Sequence, residues 1–325
     1  MRIPSLLCFG LLAAACTRTP SPVPPPAPVP TAQPPASDLP AKPATPAARF
    51  AAARSWCLYY GPATPDSVDR LGKYEIVVID PAALGATAKE TIAALHARGC
   101  LVAGYLSMIE VASWHRYRDR IPREWYLIAD GKPWVPWAGK DVGWDANLSA
   151  SLAEPGWRKM LVDLVQSEVL DYGCDGVFMD TLEDLDFAGL PAEERPRQLD
   201  GLRQLLAALD ERYPEAFFIA NRTLQGTLPV AAQYVDAICW EDFSTKYFDD
   251  PEVRPWMEGI AKNIAAEAAK RPADKPLRVL ALDDLTPDDT VPAERAAVFA
   301  NAERFGYLPY CTKGNYHSLP LEENP

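Results

Sequence analysis

Eight short, nearly continuous apolar runs alternate with longer helical patterns, and this rhythm limits the chain to very few folds. The runs are WCLYY (56–60), EIVVID (75–80), LVAGYL (101–106), GVFMD (176–180), FFIAN (217–221), DAICW (236–240), RVLALD (278–283) and GYLPYC (306–311). Segments such as Lys89 to Arg98, Trp157 to Tyr172 and Gln198 to Arg212 separate them with helical spacing. Strands apolar on both faces belong in a parallel sheet covered by helices on each side. Eight strand-helix units in one stretch of chain predict an α/β fold, a (β/α)8 barrel forming a single domain over residues 50–325. An open doubly wound sheet is the competing architecture. No G-x-G-x-x-G follows the first strand and no G-x-x-x-x-G-K occurs, so the phosphate-binding signatures of that class are missing.

The segment before the domain has a different character. Residues 1–16, MRIPSLLCFGLLAAAC, combine a basic start, a short apolar run and small residues ahead of a cysteine. They are expected to act as an export signal rather than a membrane span. The ending resembles the lipobox of bacterial lipoproteins, which implies lipidation at Cys16 and an exported, cell-envelope location. Residues 17–49 hold 12 Pro and no Gly, the composition of an extended tether without a core. The only contact with a membrane is expected through that anchor.

Charge divides along the same line. The chain carries 32 Lys plus Arg against 44 Asp plus Glu; residues 1–49 take four of the bases and one acid, leaving 28 against 43, or −15, on the domain. Such a surface disfavours nucleic acid, whose phosphates require clustered bases, and favours neutral or cationic partners. Cys57, Cys100, Cys174, Cys239 and Cys311 form no C-x-x-C pair and mostly lie in strand-like runs, so they read as buried small hydrophobes. His96, His115 and His317 show no zinc-binding spacing and no G-x-S-x-G elbow occurs, so neither a metal nor a cofactor is expected.

In a (β/α)8 barrel, chemistry collects where strands end at the C-terminal face. Those ends carry Tyr59 and Tyr60, Asp80, Tyr105 and Ser107 with Glu110 beyond, Asp180, Asn221 and Arg222, Trp240 and Glu241, Asp283 and Asp284, then Tyr310 and Lys313. Carboxylates with aromatic neighbours suit glycoside hydrolysis, in which one carboxyl acts as acid and a second as nucleophile or base. Asp180 and Glu241 are the natural pair, and Trp240, Tyr59, Tyr60 and Tyr105 are candidate stacking faces for sugar rings. Each also has a structural reading: Asp180 as a cap, Glu241 as the partner of an Arg, the aromatics as core.

Asp175-Gly176-Val177-Phe178-Met179-Asp180, after a helix opening near Pro155-Gly156-Trp157-Arg158, is similar to the G-[FC]-D-G-V-F-x-D stretch of glycoside hydrolase family 114. Gly104-Tyr105-Leu106-Ser107-Met108-Ile109-Glu110, with Arg116 and Arg118 downstream, resembles that family's Y-I-S-x-G-E segment, and Val77 to Pro81 and the acid at Glu241 also fit. The resemblance spans about Trp56 to Tyr316. It implies a TIM-barrel endo-α-1,4-polygalactosaminidase-like hydrolase using a retaining mechanism. Asp180 would be the nucleophile and Glu241 the acid/base, with Asp80, Tyr105, Glu110 and Asn221 lining the cleft. Tyr59, Tyr60, Trp240 and Asp283 complete the expected substrate contacts. Ile109 stands where the family has Gly, and Asp242 follows Glu241 as a second candidate acid. The expected partner is a polysaccharide, cationic if its amino sugars are deacetylated, bound by a monomer. The competing function is a non-catalytic polysaccharide-binding lipoprotein on the same scaffold.

Overall fold

Every one of the eight apolar runs forms a strand: β1 (Trp56–Tyr59), β2 (Ile76–Ile79), β3 (Leu101–Ser107), β4 (Gly176–Asp180), β5 (Phe217–Asn221), β6 (Ala237–Trp240), β7 (Arg278–Leu285) and β8 (Leu308–Lys313). The structure, a computed structural model, describes residues 45–129, 131–136, 142–285, 291–313 and 316–320. The Cys16 lipobox and the tether up to residue 44 lie outside the described residues.

Successive strands pair in parallel from β1 through to β8. The seam between β8 and β1 is drawn together by other bonds. The Trp56 indole N–H donates to the Leu308 carbonyl at 2.9 Å, and the Tyr310 hydroxyl to the Leu58 carbonyl at 3.3 Å. Above them the Tyr60 N–H donates to the Tyr316 carbonyl at 2.8 Å. The result is a nearly closed (β/α)8 barrel. Helices Ala88–His96, Pro155–Leu164, Glu194–Arg212, Arg254–Ala268 and Val291–Phe305 follow β2, β3, β4, β6 and β7 around the outside.

The folded region begins earlier than the expected boundary at residue 50. Helix Pro46–Ala52 starts with Pro at its first turn, where the missing N–H costs nothing, and the Thr45 hydroxyl caps it. It seals the N-terminal end of the barrel: Phe50 is buried, stacking on Phe217 at 4.5 Å, and the Arg278 guanidinium donates to the Phe50 and Ala51 carbonyls at 2.9 Å each. Burial of that ring stabilises the closure by roughly 1.5 to 3 kcal/mol. The stretch therefore belongs to the domain, not to a tether. The five cysteines of the domain are buried thiols without disulfides.

Register decides which side chains reach the cleft, because alternate residues of a strand point to opposite faces. The ladder matches Leu58 with Val78, Val78 with Ala103, Tyr105 with Phe178 and Ser107 with Asp180. It continues with Phe178 opposite Ile219, Asn221 opposite Cys239, and Cys239 opposite Leu280. Counting by twos along these rows puts Tyr60, Asp80, Tyr105, Asp180, Asn221, Glu241 and Asp284 on the inner face at the C-terminal end. By the same count Tyr59, Trp240 and Asp283 belong to the outer face.

Candidate active site

Asp180 and Glu241 are joined through one nitrogen. Asn221 Nδ2 donates to Asp180 Oδ1 at 2.8 Å and to Glu241 Oε1 at 3.0 Å. Nitrogen has one hydrogen for each acceptor, so the carboxylates are held at a set separation with the amide between them. The second oxygen of Asp180 accepts from the Tyr105 hydroxyl at 2.8 Å. Tyr105 is in turn flanked by the rings of Tyr60 at 5.2 Å and Phe178 at 6.5 Å, which fixes the direction of its hydroxyl.

The second oxygen of Glu241 faces Arg222 Nη1 at 3.4 Å, and the same guanidinium reaches Asp242 at 3.2 Å and Glu183 at 3.9 Å. Burial pushes the Glu241 carboxyl up to about 7, and the charge of Asp180 adds to the effect, against the pull of Arg222 and the Asn221 amide. Glu183 is driven upward by the same two causes, burial and then Asp180. Asp184, buried beneath the rim, is pushed up to about 9 by desolvation and by Glu110 and Glu183. Glu110 is raised by burial and by Asp180. Glu241, Glu183 and Asp184 thus share one low-dielectric rim, which favours their protonated forms near neutral pH.

Backbone strain is concentrated at the same place. Four non-glycine residues among those described have positive φ, and three of them, Thr181 (66°), Arg222 (49°) and Asp242 (57°), directly follow Asp180, Asn221 and Glu241. Left-handed backbone is costly for a β-branched residue such as Thr. Here it is held by bonds: Thr181 Oγ1 accepts the N–H groups of Ile109 at 3.0 Å and Glu110 at 3.2 Å. The turn at Thr181 thereby clamps the loop after β3 to the end of β4 and places Glu110 beside the rim.

Most of the expected site residues converge. Asp180, Glu241, Asn221 and Tyr105 form the bonded core, Tyr60 and Glu110 border it, and the charge of Asp80 reaches Tyr105. Asp80 also caps the turn Pro81–Leu84, with Oδ1 accepting from Ala82 N at 2.9 Å and Ala83 N at 3.2 Å. Three expectations need correction. Tyr59 turns outward and its hydroxyl donates to the Pro62 carbonyl at 3.1 Å. Trp240 is buried in an aromatic cluster with Phe243 at 5.1 Å, Phe248 and Tyr307, so it stiffens the barrel wall and offers no face to a sugar. Asp283 lies opposite Cys311 on the outer face, and Asp284 takes the inner position next to Tyr316. Glu183, Thr181 and Tyr316 belong to the site without having been expected there; the charge of Glu241 reaches the Tyr316 hydroxyl. Among the described residues, no group of three or more His, Cys, Asp or Glu is placed to hold a metal ion.

The chain superposes on the glycoside hydrolase domain of PelA from Pseudomonas aeruginosa with a TM-score of 0.63 at 21% identity, covering 83% of this chain and 98% of that one. It also superposes on Aspergillus fumigatus Ega3, solved in complex with galactosamine, with a TM-score of 0.56 at 17% identity, covering 82% and 93%. An α-amylase from Lactobacillus plantarum gives 0.52 at 13% identity over 85% and 75%. At these identities the likeness is one of fold. No curated protein sequence matches the chain. The model of glycoside-hydrolase family GH114 matches residues 36–267, well over half of the chain and including Asp180 and Glu241. On that match, the chain belongs to glycoside hydrolase family GH114.

Proposed function

We propose that the protein hydrolyses an α-linked amino-sugar polysaccharide, an α-1,4-galactosaminan, with retention of anomeric configuration. The observation that carries this reading is the shared Asn221 amide. Two carboxylate oxygens on one nitrogen at 2.8 and 3.0 Å lie within about 6 Å of each other. That is compatible with the roughly 5 to 5.5 Å carboxyl separation of a retaining pair.

In this mechanism an Asp180 oxygen attacks the anomeric carbon while the glycosidic bond breaks. The Glu241 proton passes to the departing oxygen. Glu241, now a carboxylate, takes a proton from water as the water oxygen attacks the same carbon and Asp180 leaves. The Asn221 amide bonds to both groups throughout, so the pair keeps its spacing through both steps. The carboxyl of Glu241, pushed up to about 7, is suited to give and regain a proton near neutral pH. Partly deacetylated galactosamine polymers are cationic, and the charge of −15 on residues 50–325 with the carboxylate rim favours their approach.

The test is incubation of the protein with α-1,4-galactosamine polymers of graded acetylation and analysis by mass spectrometry. Shorter oligosaccharides are expected from at least one polymer. Saturable binding with no new chain ends would support the non-catalytic alternative instead.

A further inference from the structure

Beside the catalytic pair, a cavity of about 290 Å³ opens between the loops after β2 and β3, about the size of one sugar ring on the scale of small-molecule pockets. It shares Tyr105 with the site, and the hydroxyl of that residue is bonded to Asp180. Trp114 stands at its edge and is 74% exposed, the most exposed large hydrophobic side chain among the described residues. An indole left in water at the border of a cavity that also holds Asp80 and His115 is a face awaiting a partner.

The loop bearing Trp114 is held firmly. The Arg118 guanidinium donates to the carbonyls of Val111 at 2.8 Å, Trp144 at 2.8 Å and Ala146 at 2.6 Å, and Ser113 N donates to Asn147 Oδ1 at 3.1 Å. Next to Trp114, His115 Nδ1 accepts from the Ala112 N–H at 3.1 Å. A backbone N–H can only donate, so the ring proton sits on Nε2. The Tyr117 hydroxyl, 3.0 Å from Nδ1, donates to the same atom. Burial holds the imidazole below its ordinary range, with Arg118 acting in the same direction against Asp80 and Glu168, so His115 stays a neutral donor. Asp80 also lines the cavity, and both of its capping bonds fall on Oδ1, leaving Oδ2 as the acceptor for a ligand. Glu168 is already engaged by Arg116 at 2.6 Å.

We propose that this cavity is a sugar subsite adjoining the catalytic pair. It takes an amino sugar with a free ammonium group, stacked on Trp114, accepting from His115 Nε2–H and paired through its ammonium with Asp80. The assignment rests on the hydrolase reading for its ligand class but not for its test. Asp80 is partly desolvated, which raises its carboxyl despite the two N–H donors; a bound cation offsets that cost, whereas an N-acetyl group does not.

The experiment is calorimetry on the Glu241→Gln protein, whose turnover is slowed by loss of the acid, using an α-1,4-galactosamine oligosaccharide and its N-acetylated counterpart. Trp114→Ala is expected to weaken both by about tenfold, the effect of losing one stacked ring. Asp80→Asn keeps an Asx cap for the turn and is expected to weaken the free-amine ligand by about tenfold while leaving the acetylated one unchanged. Trp256→Ala, at the exposed indole on helix Arg254–Ala268, serves as the control with no change. Unchanged affinity in Trp114→Ala, or equal losses for both ligands in Asp80→Asn, overturns the subsite. If the native protein cuts no galactosamine polymer but these binding differences appear, the subsite stands and the hydrolase reading falls. If it cuts the polymer and they do not appear, the subsite alone falls.

Discussion

Replacing Asp180 by Asn should abolish hydrolysis, lowering kcat by about four orders of magnitude, the scale expected when a covalent nucleophile is removed. The amide occupies nearly the same volume but cannot form the glycosyl ester. Its geometry also fails: where the native carboxylate accepts from both Asn221 Nδ2 and the Tyr105 hydroxyl, an amide has only one oxygen and would turn a donor toward one of those partners. The barrel itself should persist, because Asp180 lies at the end of β4 and the strand below it is buried apolar chain. Reducing-end assays alongside circular dichroism check this. Native-like turnover by Asp180→Asn would remove Asp180 from the mechanism.

Glu241→Gln should lower kcat on polymer by roughly 10² to 10⁴, the usual contribution of a general acid. The pH profile is the more diagnostic readout. Because burial and Asp180 push Glu241 up to about 7, the native rate should fall as pH rises through that value, when the acid loses the proton it must donate. The variant has no such proton to lose, so this basic limb should vanish. An activated aryl glycoside, whose leaving group needs no proton, should recover much of the first step in the variant. If the basic limb survives in Glu241→Gln, another acid supplies the proton, and Asp242, which shares Arg222 with Glu241, becomes the candidate.

Sequence and structure part company at a specific level. The strands were legible because each is an apolar run bounded by polar loops, and eight of them admit few arrangements. Asp180 and Glu241 were legible as carboxylates ending such runs. What was hidden is register. When both faces of a strand are buried, as in WCLYY and DAICW, no polar alternation marks which side faces the barrel axis. Tyr59 and Tyr60 therefore read alike, as did Asp283 and Asp284, and Trp240 looked available to a sugar although it packs against Phe243 and Tyr307. Glu183 was not legible because its place depends on the strained turn at Thr181 and on Arg222, just past the end of β5. The early start of the domain was masked by composition: Pro46 counted as one more tether proline, yet at a helix's first turn proline is favourable.

Retention depends on the spacing set by Asn221, and stereochemistry reports that spacing directly. Proton NMR of the native protein acting on an α-1,4-galactosamine oligosaccharide, recorded before mutarotation, should show the new reducing ends appearing first as the α anomer. First appearance of the β anomer would mean direct attack by water across a wider carboxylate pair and would contradict the roles given to Asp180 and Glu241.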